Sequence, residues 1–287
     1  MSFARKIGKT LKRGVTFIYP QHMKDIFLIL QDMELRNVKN DIARITPEDI
    51  SLRGYKVFSQ NEEDGIIQEI FSRIGEGKTF VEIGTGDGRE CNTINLLFNG
   101  WKGVWFEGSS KDVETLRQAL GSTSFANFQV NQTFIDLDNI RSLMANATAF
   151  VGGGIDFFSL DIDGNDYYIL KAILENNILP KVICVEYNAK FPPPMKVVTK
   201  YKADQVWAEN DYMGASLMSW VDLLEPAGYS LLCCTVTGVN AFFVKNEYMS
   251  HFHKYPVKDL YRQSKYYISK RIVGHPASLQ NLKAFLH

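Results

Sequence analysis

Thr79-Phe80-Val81-Glu82-Ile83 is a short apolar run closing around an acid, and it breaks at once into Gly84-Thr85-Gly86-Asp87-Gly88. An apolar run this short, followed by alternating glycines, predicts a buried parallel strand ending in a ligand-cradling turn. Glycine reaches backbone angles closed to other residues and lets a ligand approach the main chain closely. The stretch points to a nucleotide-like ligand at the carboxyl end of a strand. The rest of the chain must say which nucleotide.

From Phe80 onward strand and helix alternate. Strands are expected over Phe80–Ile83, Gly103–Glu107, Phe128–Asn131, Ile155–Leu160 and Val182–Glu186. Helices are expected over Asn92–Phe98, Asp112–Leu120, Leu137–Met144 and Tyr167–Glu175. Near-continuous Val, Ile and Phe strands between amphipathic helices argue for a parallel sheet covered on both faces. A helix over Ser216–Leu224 then precedes Tyr229–Thr235 and Asn240–Val244. Two strands joined by so short a turn must be antiparallel, so the sheet ends in a hairpin. Upstream, Ser59 or Asn61 can cap a helix whose buried face is Ile66, Ile67, Ile70, Phe71 and Ile74, stopped by Gly75 and Gly77.

Three further segments flank or interrupt this unit, which spans 51–245. Residues 1–50 read as a helical extension with a stripe of Ile26, Ile29, Leu30 and Met33, continued by Leu35, Val38, Ile42 and Ile45. That stripe suits packing or pairing with a second copy. The basic residues Arg5, Lys6, Lys9, Lys12 and Arg13 would suit a surface anchor. An insert over 189–212 holds three consecutive prolines, which exclude a helix interior, and reads as a functional loop or lid. The tail, 246–287, is basic and aromatic, and could wrap the core, pair subunits or edge a pocket.

Composition narrows the partners. The 287 residues carry 32 basic and 32 acidic side chains, so bulk charge selects neither nucleic acid nor an anionic membrane. No apolar run is long enough to span a bilayer, and no secretory signal is evident. The four cysteines have no CxxC spacing, which fits a reduced, cytoplasmic setting.

The second strand ends in Glu107, 23 residues after Gly84, where an acid holds ribose hydroxyls in doubly wound folds. Dinucleotides and S-adenosylmethionine both meet that rule. Three features favour the latter. The glycines are Gly-x-Gly-x-Gly rather than Gly-x-Gly-x-x-Gly. Glu82 and Asp87 put negative charge beside the turn, which suits a sulfonium and an ammonium and repels a pyrophosphate. The closing hairpin is foreign to most dinucleotide folds.

Taken together, this order resembles a class I S-adenosylmethionine-dependent methyltransferase from about Ser59 to Lys245. Within that group it is similar to the FkbM-type family. The matching pieces are Ser59-Gln60 with Glu63-Asp64, Phe80–Gly84, Ser159-Leu160-Asp161-Ile162-Asp163-Gly164 and Gly238–Val244. The resemblance implies a Rossmann-like α/β fold with a seven-stranded, mostly parallel sheet, helices on both faces, and methyl transfer, commonly to oxygen. It implies that Glu82, Gly84 and Gly86, with Asp87 beside them, lie at the methionine end of the cofactor. It places Glu107 on the ribose, Thr133 or Phe134 beside the adenine, Asp161 near the sulfonium, and Gln60 toward the cofactor carboxylate.

Asp161, Asp163, Glu186 and Asn188 form a second constellation. Asp161 and Glu186 end adjacent strands about 4.8 Å apart, so their side chains can converge. Asp161, Glu186 and Asn188 offer oxygen ligands suited to magnesium, a pattern similar to metal-dependent O-methyltransferases. Metal-free acid/base use of Asp161 or Asp163, and simple capping of the next helix, are the other readings of the same residues. Catalysis is thus assigned to Asp161, Asp163 and Glu186. His251 and His253 are further candidate bases.

The expected activity is O-methylation of a small or sugar-like acceptor, such as a glycan building block, under the lid. Tyr201, Trp207 and Tyr212 would stack on its ring, and Asn210 and Asp211 would bind its hydroxyls. A nicotinamide-dependent oxidoreductase on the same fold and a non-catalytic binding scaffold are the competing readings.

Overall fold

The computed structural model describes residues 21–75, 77–120, 127–206 and 210–268. Its seven strands are β1 (Thr79–Ile83), β2 (Lys102–Glu107), β3 (Phe128–Gln132), β4 (Phe157–Leu160), β5 (Val182–Glu186), β6 (Tyr229–Cys234) and β7 (Asn240–Lys245). They form one sheet in the order β3-β2-β1-β4-β5-β7-β6. The first five are parallel, and β7 runs antiparallel to both β5 and β6. This is the mostly parallel, hairpin-closed sheet that the sequence predicts. Chain order reverses between β1 and β4, so the crevice beyond their carboxyl ends is where such a sheet binds ligands.

Side-chain alternation divides the sheet between two cores. Val81 and Ile83 of β1 join Phe158, Leu160 and Trp220 on one face, while Phe80 joins Trp105, Phe157 and Phe242 on the other. Because both faces are covered, the strands are apolar almost throughout.

The helices are α1 (Gln21–Ile45), α2 (Glu63–Ile74), α3 (Ile94–Phe98), α4 (Ser110–Leu120), α5 (Ile140–Val151), α6 (Asp166–Glu175), α7 (Leu217–Leu224) and α8 (Val257–Leu260). Helix α2 stops at Gly75, whose φ is +74°, as expected. Of the two expected caps, Ser59 engages the first turn, while Asn61 donates to the Glu63 carboxylate. Asp64 Oδ2 accepts the backbone N–H groups of Val57, Phe58 and Ser59, and Ser59 Oγ accepts that of Asp64. Helix α5 begins three residues later than predicted, because Asp136 Oδ1 takes the N–H groups of Asp138 and Asn139 and holds them in a turn.

Helix α1 departs from its predicted stripe. Leu35, Val38 and Ile42 pack on Val236 and Ile268, but Ile26, Ile29, Leu30, Met33 and Ile45 are exposed. The basic cluster Arg5–Arg13 lies outside the described residues. No helix among the described residues is long and apolar enough to cross a membrane.

Glu62 sits buried between α2 and the β6–β7 turn, its carboxylate against the Val236 N–H. Burial, then the neighbouring Glu63, pushes its pKa up to about 8 from an ordinary 4.5. The folded state therefore binds a proton that the unfolded chain releases above about 4.5. Its contribution to stability falls as pH rises through that window. Glu62→Gln is expected to raise the melting temperature at pH 9 and leave it nearly unchanged at pH 5. A melting temperature that drops equally at both pH values would show that the carboxyl is not held protonated.

Candidate functional site

The glycine turn emerges from β1 as the sequence requires. Gly84, Gly86 and Gly88 all have positive φ, at +85°, +53° and +83°. A Cβ on Gly84 would lie 1.6 Å from the Asp161 carbonyl oxygen, so this glycine lets β1 and β4 converge. A Cβ on Gly86 would meet nothing within 4 Å, so its backbone faces open space. Glu107, ending β2, secures the turn: its Oε2 accepts the Gly86 N–H at 2.7 Å and its Oε1 that of Ser109 at 2.8 Å.

These residues line a cavity of about 1370 Å³ at the carboxyl ends of the parallel strands. Gln60, Gly84, Gly86, Glu107, Thr133, Phe134 and Asp161 all face it, as do Asp163, Glu186, Asn188, Asn210 and Asp211. Among the described residues seven of those lining it are acids, and Lys190 is the single base. Lys190 is itself paired with Asp211.

Two expected cofactor residues do not line this cavity. Glu82 is buried beneath the turn, and its carboxylate accepts from Cys91 Sγ, the Asn92 and Thr93 N–H groups and Thr93 Oγ1. It braces the segment after the glycines. Asp87 turns outward to Arg89 at 3.3 Å. Cys91, tied to Glu82, has its thiol pushed well up by burial and then by that carboxylate.

At the other end of the cavity Asp161, Asp163 and Glu186 converge. They offer carboxylate oxygens that all lie within 4.8 Å of one another. Each group is pushed above its ordinary range. For Asp161 the causes are burial and then Asp163. For Asp163 they are burial and then Asp166, and for Glu186 burial and then Asp161. Three converging carboxylates offer the oxygen ligands that a hard divalent ion takes.

Among the described residues no side chain caps α6; Asp166, its first residue, instead holds the preceding loop, its two oxygens accepting the N–H groups of Ile162 and Gly164 at 2.8 Å. Asp163 has a φ of +56° and projects from the loop that Asp166 holds. Asn188 takes another role than expected. Its amide donates to the Asp211 and Met213 carbonyls and its oxygen accepts the Lys190 N–H, so it ties down the insert at the edge of the same cavity.

The insert contributes Lys190, Gln205, Val206, Asn210 and Asp211 to the cavity. Tyr201 and Tyr212 do not line it. Tyr201 packs edge-on to Tyr168 and its hydroxyl accepts the Leu137 N–H, while the Tyr212 hydroxyl accepts that of Lys200. Trp207 lies outside the described residues. His251 and His253 are exposed and are not among the lining residues.

Of the three roles the sequence left open for the tail, edging the pocket is one it takes. Gln263, Ser264 and Tyr266 form a wall of the cavity. The segment is clasped in place: Arg262 Nη2 meets the buried Asp49 at 2.8 Å, the Tyr187 hydroxyl donates to the Arg262 carbonyl, and the Lys265 N–H reaches the Thr237 carbonyl at 2.7 Å. Asn240, opening β7 inside the quoted Gly238–Val244 motif, also lines the cavity and donates to Glu63. A buried polar residue at a strand's start was the signal that could have found it.

No protein-family model matches the chain, and no curated protein matches it in sequence. Among solved structures it is similar to an O-methyltransferase from Bacillus cereus in complex with SAH (16% identity, 82% of this chain and 97% of that one, TM-score 0.41). It is similar to the glycopeptide N-methyltransferase MtfA complexed with S-adenosyl-L-methionine (15% identity, 67% and 96%, TM-score 0.38). A third is an S-adenosylmethionine-dependent methyltransferase from Clostridium acetobutylicum ATCC 824 (10% identity, 64% and 90%, TM-score 0.41). Likeness of this order carries no statement about ligand or reaction.

Proposed function

We propose that this chain is an S-adenosylmethionine-dependent O-methyltransferase of the FkbM type, acting on a hydroxyl of a small or sugar-like acceptor. The observation that carries the reading is the cavity's charge. A glycine turn and a ribose-ready Glu107 open onto a space lined by seven acids and one paired lysine. Such a lining favours a cationic sulfonium and opposes the pyrophosphate of a dinucleotide.

The donor end is built from the Gly84–Gly86 backbone, Glu107 for the ribose hydroxyls, and Thr133 and Phe134 for the adenine. Gln60, beside Glu90 at 3.4 Å, borders the same end. The acceptor end is Asp161, Asp163 and Glu186, with Asn210, Asp211 and Gln205 offering hydrogen bonds to hydroxyls. Asp161 and Glu186, with Asp163 in place of Asn188, are the residues that would hold a magnesium ion. Bound there, a divalent ion lowers the pKa of a coordinated hydroxyl and orients it. Without one, Asp163 is the candidate to accept the acceptor's proton, burial and then Asp166 holding its carboxyl above the ordinary range.

Isothermal titration separates this reading from an oxidoreductase and from an inert scaffold. S-Adenosylhomocysteine is expected to bind with a micromolar dissociation constant and NAD not at all. Tight NAD binding without S-adenosylhomocysteine binding would sink the proposal, and binding of neither would favour the scaffold.

A further inference from the structure

We propose that the uncovered face of α1, with the basic segment preceding it, docks this protein on an anionic lipid bilayer. Met23 is followed at three and four by Ile26 and Phe27, these at four and three by Leu30, and Leu30 at three by Met33, so all five share one face of the helix. All five are about half exposed, from 47% to 56%, and Ile29 beside them is 59% exposed. The face that α1 does bury is a different one, carried by Leu35, Val38 and Ile42. The helix is therefore anchored to the protein from Gln31 to Ile42 along one face, while the adjoining face from Met23 to Met33 presents apolar side chains to the outside. The Asp32–Arg36 ion pair is on neither apolar set.

Charge identifies the occupant. Six lysines and arginines precede Asp25 in the sequence and no acid does. The balanced total of the chain hides this local excess. A second copy of α1 laid alongside in parallel would bring the same positive charges together. The apolar strip, Met23 to Met33, is about 16 Å of helix. That is a narrow footprint beside the roughly 800 Å² that each partner gives to a stable protein interface. A bilayer needs no matching partner surface. An amphipathic helix lies in its interface with Phe, Leu and Ile side chains among the acyl chains, and nearby Lys and Arg side chains meet anionic headgroups. Each such charge strengthens binding about fivefold near an anionic surface.

Co-sedimentation of the full chain with lipid vesicles tests this. Binding to equimolar phosphatidylcholine–phosphatidylglycerol vesicles at about 0.05 M salt is expected to exceed binding to pure phosphatidylcholine at least about tenfold, and to weaken at about 0.5 M salt as the charges are screened. The double variant Ile26→Asp with Leu30→Asp is expected to lose at least about tenfold of that binding. It should keep its melting temperature and S-adenosylhomocysteine affinity, since neither side chain packs in the core. Arg5→Glu with Lys6→Glu should weaken the anionic-vesicle binding alone. The proposal is overturned by vesicle binding that the Ile26/Leu30 variant retains, by equal binding to neutral vesicles, or by no binding. It is equally overturned if sedimentation velocity without lipid shows a dimer that this variant dissolves, because the face would then belong to a second copy.

Discussion

Gly84→Ala is expected to unfold the carboxyl end of the sheet and abolish S-adenosylhomocysteine binding. The added Cβ would sit 1.6 Å from the Asp161 carbonyl oxygen at a φ of +85°. The obstacle is backbone, so it cannot rotate away. Either β1 and β4 separate or the turn abandons its left-handed geometry. A cost of about 3–5 kcal/mol follows, which lowers the melting temperature by roughly 10 °C in a chain of this size. Gly86→Ala is the informative contrast. Its Cβ meets nothing within 4 Å, so only the φ of +53° resists it, at about 1–2 kcal/mol. That variant should remain folded and lose affinity, because the methyl group would occupy the space the backbone offers a ligand. Equal melting-temperature losses in the two variants would mean that the approach to Asp161 does not govern the turn.

The second large effect belongs to the acid cluster. Asp161→Ala and Glu186→Ala are each expected to lower turnover by about a thousandfold or more while changing S-adenosylhomocysteine affinity less than about fivefold. Release of S-adenosylhomocysteine in the presence of a panel of hydroxylated sugars would read the turnover. Manganese, followed by its paramagnetic resonance, is expected to bind the wild type and not Asp161→Ala. Magnesium should restore activity removed by EDTA. Full activity in EDTA would discard the ion and leave Asp163 as the base. Full activity of Asp161→Ala would remove the cluster from the chemistry altogether.

The parts of this site that were legible in the sequence are those set by local backbone rules. Alternate glycines after an apolar run force the turn, and the strand that follows delivers Glu107 to it, whatever the distant chain does. Asp161 and Glu186 converge because strand ends in a parallel sheet are neighbours by construction. Glu82 escaped this logic. Its position beside the turn was plain, but one residue's step along a strand exchanges faces, and its carboxylate points at the 91–93 backbone rather than the ligand space. Tyr201 and Tyr212 escaped it too. Aromatic side chains in an insert look like a platform for a ring, yet both hydroxyls take backbone N–H groups of their surroundings. The tail's role depended on a contact without local signature: Gly238, at the β6–β7 turn, lies so close to Gln263 that a Cβ there would approach its carbonyl oxygen to 2.5 Å.

That contact bears on how the chain can be divided. By strands and helices the unit looks complete at Lys245, since every strand of the sheet has been laid down by then. The clasp between Arg262 and Asp49 shows that the wall carrying Gln263, Ser264 and Tyr266 is fastened from outside the sheet, to residues that precede β1. A fragment ending at Lys245 would lose Leu260 from one core and the wall of Gln263, Ser264 and Tyr266 from the cavity, leaving an open trough in place of a chamber. In this molecule the segments that flank the sheet, at Asp49 and at Arg262–Tyr266, are masonry of the binding room.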